Sequence, residues 1–179
     1  MPRVFRWIGA ASLGLAFIAA PAAAQIEAGD KSVSLNGMYL TLSGVPDVTF
    51  SLSMAQAGFN KFQTSKFAWR VSGLVMVSDA GEGAETMTGF GGGLEWNFNK
   101  QGRTTIPFVA MDATLFSASN ESLTMLSPSA GFRAFMSRST SFDVAASYNT
   151  IVSGVEDASG GLIMVRMGFS YYLGKDPRR

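Results

Sequence analysis

Val48-Thr49-Phe50-Ser51-Leu52-Ser53-Met54-Ala55 sets a large apolar residue at every second position and a small or polar one between. Alternation of period two is the mark of a β-strand whose two faces meet different surroundings. The same pattern recurs along the chain. Runs near 32–43, 47–57, 65–78, 87–98, 104–117, 123–136, 141–153 and 160–173 all alternate, which predicts eight strands. Phe67, Trp69, Val71, Gly73, Val75 and Val77 share one face, and Phe90, Gly92, Leu94, Trp96 and Phe98 share another. So do Phe142, Val144, Ala146 and Tyr148, while the last run points Ile163, Val165, Met167, Phe169, Tyr171 and Leu173 outward.

Runs of about 11–14 residues, at about 3.3 Å per residue and a tilt near 40°, cover roughly 25–35 Å along a barrel axis. That matches a bilayer, whereas strands of soluble sandwiches are usually nearer about five or six residues. The expected fold class is all-β: an eight-stranded antiparallel up-and-down transmembrane β-barrel. Short turn-rich connectors such as Asp79-Ala80-Gly81-Glu82-Gly83 and Asn99-Lys100-Gln101-Gly102 separate the runs, with no linker between them. Gly89-Phe90-Gly91-Gly92-Gly93 is not followed by a helix, so its glycines are expected to relieve crowding in the barrel wall rather than cradle phosphate.

The chain opens differently. Arg3 and Arg6 precede an uncharged run from Trp7 to Ala20, then Pro21-Ala22-Ala23-Ala24. This is the three-part form of a secretory signal peptide, too short in its apolar run to span a bilayer. The expected organisation is a signal peptide over 1–24, cleaved after Ala24, and one barrel over 25–179. Strands fill about 31–173 and a short C-terminal tail follows.

With no Cys and no His, 15% charged residues, 20 Gly and 14 Phe, and a mean hydropathy of +0.19, the chain is apolar for a soluble protein. No later stretch suits a membrane helix, so the apolar character is spread through alternating strands, as a barrel spreads it. Without Cys, the fold must hold by hydrogen bonding and packing alone. Removing Arg3 and Arg6 takes the 14 basic residues to 12 against 13 acidic, a balance that offers nothing to nucleic acid. No metal site is expected either, since His and Cys are absent and the carboxylates are dispersed.

The few charges inside strands fall on the small-residue faces: Arg70, Glu95, Asp112, Arg133, Asp143 and Arg166. In an eight-stranded barrel side chains fill the lumen, and a charge buried there without a partner is costly. Three acids against three arginines therefore predict a buried network of Arg–carboxylate contacts. Connector charges alternate as well. With both chain ends on one side, the outer loops carry Asp47, Asp79, Glu82, Glu85, Glu121, Glu156 and Asp157; the inner turns and tail carry Lys61, Lys66, Lys100, Arg103, Arg138, Lys175, Arg178 and Arg179. Aromatic residues gather towards the inner ends, where Trp69, Trp96, Phe98, Phe142 and Tyr172, with Phe59, Phe62, Phe67, Phe108 and Tyr171, are expected to form an interfacial girdle.

The final run, Arg166-Met167-Gly168-Phe169-Ser170-Tyr171-Tyr172-Leu173, resembles the C-terminal assembly signal of the small outer membrane β-barrel superfamily of Gram-negative bacteria, the OmpA-like and opacity-protein type. Ile106-Pro107-Phe108-Val109-Ala110-Met111, and Ser129 to Phe135 with Phe142 to Tyr148, are similar to that family too. The resemblance covers roughly 31–173. It implies export through the Sec pathway, residence in the outer membrane, and an assembly signal carried by Gly168, Tyr171 and Leu173. The implied partners are outer membrane lipid and lipopolysaccharide, with the barrel-assembly machinery and periplasmic chaperones during biogenesis, around a monomer. Many members end on the terminal aromatic, whereas here Gly174 to Arg179 follow; that tail is too short for a peptidoglycan-binding domain. Barrel enzymes of this type use a catalytic histidine, which the chain lacks, so no catalytic residue and no cofactor are expected. The expectation is a non-enzymatic envelope protein, with a narrow porin or a soluble periplasmic lipid-binding barrel as alternatives.

Overall fold

The computed structural model describes residues 26–45, 48–79, 83–100, 103–118, 121–152 and 159–175. The leader over 1–24, the tail beyond Lys175, and Asp47, Glu82, Glu156 and Asp157 lie outside the described residues. Strands β1 (Lys31–Val45), β2 (Val48–Phe62), β3 (Phe67–Asp79), β4 (Ala84–Asn97), β5 (Thr105–Ala118), β6 (Glu121–Phe135), β7 (Thr140–Val152) and β8 (Ser159–Leu173) form a closed barrel in sequence order. Every neighbouring pair is antiparallel, including β1 with β8. Closure satisfies backbone N–H and C=O groups across strands and removes the open edges of a flat sheet.

Each strand is 13 to 15 residues long; β1, β2, β4, β6 and β8 exceed their alternating runs, because pairing continues into polar residues at their ends. The β1–β2 ladder shifts register between Leu42 and Val45, and the two ladders that flank the β7–β8 hairpin are incomplete. Among the described residues, β1 pairs with β8 only from Lys31↔Leu173 to Gly37↔Met167. The β6–β7 ladder skips from Leu126↔Thr150 to Ser129↔Ser147, around Pro128, which has no N–H to donate.

Both described chain ends lie at one mouth, called here the near end. Gly29, at φ 90°, turns the chain there; this left-handed backbone suits a residue without Cβ. Its N–H donates to the Phe62 carbonyl at 2.7 Å, and the Phe62 N–H donates to the Asp30 carbonyl at 2.9 Å. The Asn99 amide donates to the Ile26 carbonyl at 3.0 Å, and Lys175 closes the clasp by an ion pair to Asp30 at 2.7 Å. These bonds hold Ile26 inside the mouth, where it packs with Phe62, Ala68, Ile106, Phe135 and Tyr172 in an apolar floor. Each large side chain of that floor contributes about 1.5–3 kcal/mol by leaving water.

Tyr172 thereby departs from its expected place in the girdle. Successive strand residues point to opposite faces, so with Tyr171 outward Tyr172 must turn inward, where its ring lies 5.1 Å from Phe135 and 5.9 Å from Phe62. Phe62 and Phe108 face inward for the same reason. Trp69, Trp96, Phe98 and Phe142 do face outward near this end, where Phe59 packs on Trp69 and Phe142 on Phe169. A second outward row, Tyr39, Phe90 and Tyr148, stands nearer the opposite end and was not anticipated.

Candidate functional site in the barrel lumen

Arg70, Glu95, Asp112, Arg133, Asp143 and Arg166 all point into the lumen and are buried. They form one continuous chain of alternating sign. Arg166 Nη2 lies 3.6 Å from Asp112 Oδ2, and Arg70 Nε lies 3.1 Å from Asp112 Oδ1. Arg70 Nη1 is then 3.6 Å from Glu95 Oε2, Arg133 Nη1 is 3.0 Å from Glu95 Oε1, and Arg133 Nη2 is 3.2 Å from Asp143 Oδ2.

The strands place these groups by register. Arg133 on β6 sits directly opposite Asp143 on β7, so the pair joined by the most hydrogen bonds is a cross-strand one. Arg133 Nε donates to both Asp143 oxygens at 3.2 Å. The hydroxyls of Ser141 and Ser170 donate to the same carboxylate at 2.8 Å each. Asn97, missed by the sequence reading, links the next pair: it accepts from Arg133 Nη1 at 3.1 Å and donates to Glu95 Oε1 at 2.9 Å. Arg133 also lies over the Phe108 ring at 5.2 Å and the Phe62 ring at 5.9 Å, so the ladder rests on the aromatic floor and gains from cation–π attraction. A neutral Asn two residues from a Glu carries no sequence signal of its role.

Room for the arginines comes from inward glycines. Gly93 is paired with Arg70 on one side and Asp112 on the other, and a Cβ there would strike Asp112 Oδ1 and the Met111 carbonyl. Its absence opens the path by which Arg70 reaches Asp112. Gly168, from the proposed assembly signal, also points inward, where a Cβ would strike the Leu35 carbonyl and Asn36; Tyr171 and Leu173 are exposed on the outer wall.

The lumen is full. A cavity of about 20 Å³ borders Arg70, Glu95, Arg133 and Arg166, and another of about 10 Å³ borders Asp112, Ser127 and Asn149; each has space for about one water. The floor closes the near end. Beyond the ladder the lining turns apolar: Leu52, Met54 and Met164 form one cluster, and Leu74, Phe116 and Met125 another. The row quoted at the outset, Leu52 and Met54, thus faces the interior, and the lumen is not polar throughout as its small-residue faces suggested. Among the described residues no group of three or more metal-ligating side chains occurs.

No protein-family model and no curated protein matches the sequence. Among solved structures, the N-terminal β-barrel domain of Pseudomonas aeruginosa OprF is similar, with a TM-score of 0.53 and 14% sequence identity over 82% of this chain and 98% of that domain. The two share a closed eight-stranded β-barrel fold.

Proposed function

We propose that the protein is an integral outer membrane barrel that stabilises the envelope and presents short acidic loops at the surface, without passing solutes and without catalysis. The observation that carries this reading is the sorting of side chains across the wall. Outward rows such as Val33 and Leu35, Leu94 and Trp96, Val109 and Met111, and Val165, Met167 and Phe169 are exposed and apolar, an arrangement water disfavours and lipid accepts. Inside, every long charged side chain of the ladder is engaged with another, between an apolar floor and apolar far-end clusters. That filling favours a closed barrel over the narrow porin. The outward apolar wall likewise speaks against a soluble lipid carrier, which needs its apolar face inward around a cavity.

In this reading lipid and lipopolysaccharide surround a monomer. The assembly machinery would take hold of the last strand through its exposed Tyr171 and Leu173, with periplasmic chaperones acting earlier. The test is gel migration of detergent-extracted outer membranes, boiled and unboiled. A shift on boiling, followed by a silent trace in a planar bilayer, is expected. Protein found in the soluble periplasm without a shift would overturn the membrane reading; stepwise conductance would overturn the closed lumen.

A further inference from the structure

The outward wall changes character along the strands. On β4, exposed Phe90 is followed two residues further from the near end by exposed Thr88, then Thr86. On β5, Leu115 gives way to Ser117; on β6, Leu126 gives way to Thr124 and then Ser122. The β2 wall passes from Ala55 to Ser53 at the same stage, and the β7 wall from Tyr148 to Thr150, with Val77 and Val152 as the exceptions. All these steps occur at the far end, just past the aromatic row of Tyr39, Phe90 and Tyr148.

The interior inverts at the same level. The clusters of Leu52, Met54 and Met164, and of Leu74, Phe116 and Met125, lie behind this hydroxyl belt, with Met38, Met76 and Met87 packed against them. Six of the ten methionines thus form a core inside the far end. Apolar inside and hydroxyl outside is the pattern of a barrel in polar surroundings, the reverse of the half below, where ion pairs lie inside and apolar residues outside. Serine and threonine side chains facing hydrocarbon would find no partner there, so the hydrocarbon must end at the aromatic row.

Lengths agree. From Leu173 to Ile163 the outward face of β8 is apolar, and ten residues at about 2.5 Å of axial rise span about 25 Å, the height of an outer membrane apolar band. Strands of 13 to 15 residues exceed the roughly 9–11 that a crossing requires. The surplus of about four residues reaches about 10 Å beyond the hydrocarbon, which takes in the head-group layer of roughly 5–8 Å on each side.

We infer that the far ends of the strands form a methionine-cored collar whose belt of Ser53, Thr86, Thr88, Ser117, Ser122 and Thr124 lies against the polar head groups of the lipid. This rests on the membrane reading above and adds where the membrane stops and what the wall meets there. The neutral hydroxyls suit head groups by hydrogen bonding, as donors and acceptors at once.

Because the chain has no Cys, single-cysteine variants give unambiguous probes. Thr88→Cys, Ser117→Cys and Thr124→Cys sample the belt, and the exposed mid-band positions Leu94→Cys, Met111→Cys and Met167→Cys sample the band. Each carries a bimane in phosphatidylcholine vesicles doped with a nitroxide lipid, labelled either on the head group or near the chain end, after unboiled gel migration has shown that the variant is folded. The collar predicts greater loss of fluorescence at belt positions with the head-group nitroxide, and at band positions with the chain-end nitroxide. Belt positions quenched like the band would overturn the collar while leaving the membrane reading intact. A quenched band with an unquenched belt would place the belt in bulk water and overturn the head-group contact. No quenching at any of the six would overturn the membrane reading, and the collar with it.

Discussion

Replacing Arg133 by Met should be the most damaging single change in the ladder, and its cost follows from what it strands. Arg133 is 2% exposed and is the only arginine joined by an ion pair to Asp143 among the described residues. Without it Asp143 keeps two serine hydroxyls but no cation, and Glu95 keeps the Asn97 amide and a single cation, Arg70, at 3.6 Å. Removing one partner of a buried pair costs about 3–5 kcal/mol, because the charge left behind has lost its compensation. Arg166→Met should cost less, since its ion pair to Asp112 is long at 3.6 Å and Asp112 keeps Arg70 at 3.1 Å.

A double-mutant cycle isolates the pair. Asp143→Asn retains shape and removes charge, so the double variant Arg133→Met with Asp143→Asn should recover about 1–3 kcal/mol relative to the sum of the singles. Urea unfolding in micelles or vesicles, followed by the fluorescence of Trp69 and Trp96 on the outer wall, reads these values. At a slope of about 2 kcal/mol per M, Arg133→Met should lower the midpoint by about 2 M. Additive single effects, with coupling under about 0.5 kcal/mol, would refute the idea that Arg133 and Asp143 hold each other in the lumen.

Gly93→Val should destabilise by about 1–3 kcal/mol through overpacking against Asp112, whereas Gly92→Val, whose Cβ would stand 3.5 Å from the nearest atom, should unfold at nearly the wild-type urea concentration. Raising salt from about 50 to 500 mM should change the midpoint of the wild-type protein little, because buried pairs are screened far less than exposed ones; a steep fall would mean that the ladder faces water. Tyr171→Ser combined with Leu173→Ser should lower the amount of protein in outer membrane fractions and raise it in the periplasm, as read by immunoblot; undiminished insertion would remove the assembly role from these residues.

The eight strands were legible because alternation persists through whole runs and breaks at Gly-, Asn- and Asp-rich turns. The six ladder residues were legible too, since a charge in an otherwise small-residue row has few places to go in a barrel. Alternation, however, says which residues share a face and not which way that face points. Leu52 and Met54 therefore read as an ordinary apolar row, while their inward direction depends on the register of β2 with β1 and β3. Tyr171 and Tyr172 are both aromatic, so composition could not tell the lipid-facing ring from the one in the floor. Ile26 stands alone between polar residues and belongs to no run; its place in the floor comes from the turn at Gly29, a tertiary contact without periodicity.

The two interrupted ladders give the barrel a grain. β7 and β8 are bound to each other along their full described length, from Thr140↔Tyr171 to Val152↔Ser159. On either side this hairpin is joined to the rest by a ladder with a gap. Local opening follows the weakest contiguous hydrogen bonding, so the hairpin should detach from its neighbours as a unit before its own two strands part. In deuterated solvent, amides that bond across β1–β8 near Gly37 and across β6–β7 near Pro128 would exchange ahead of those within the hairpin. The wall would then behave as a six-stranded sheet with a two-stranded flap, and the flap's return would be the step that makes it a ring.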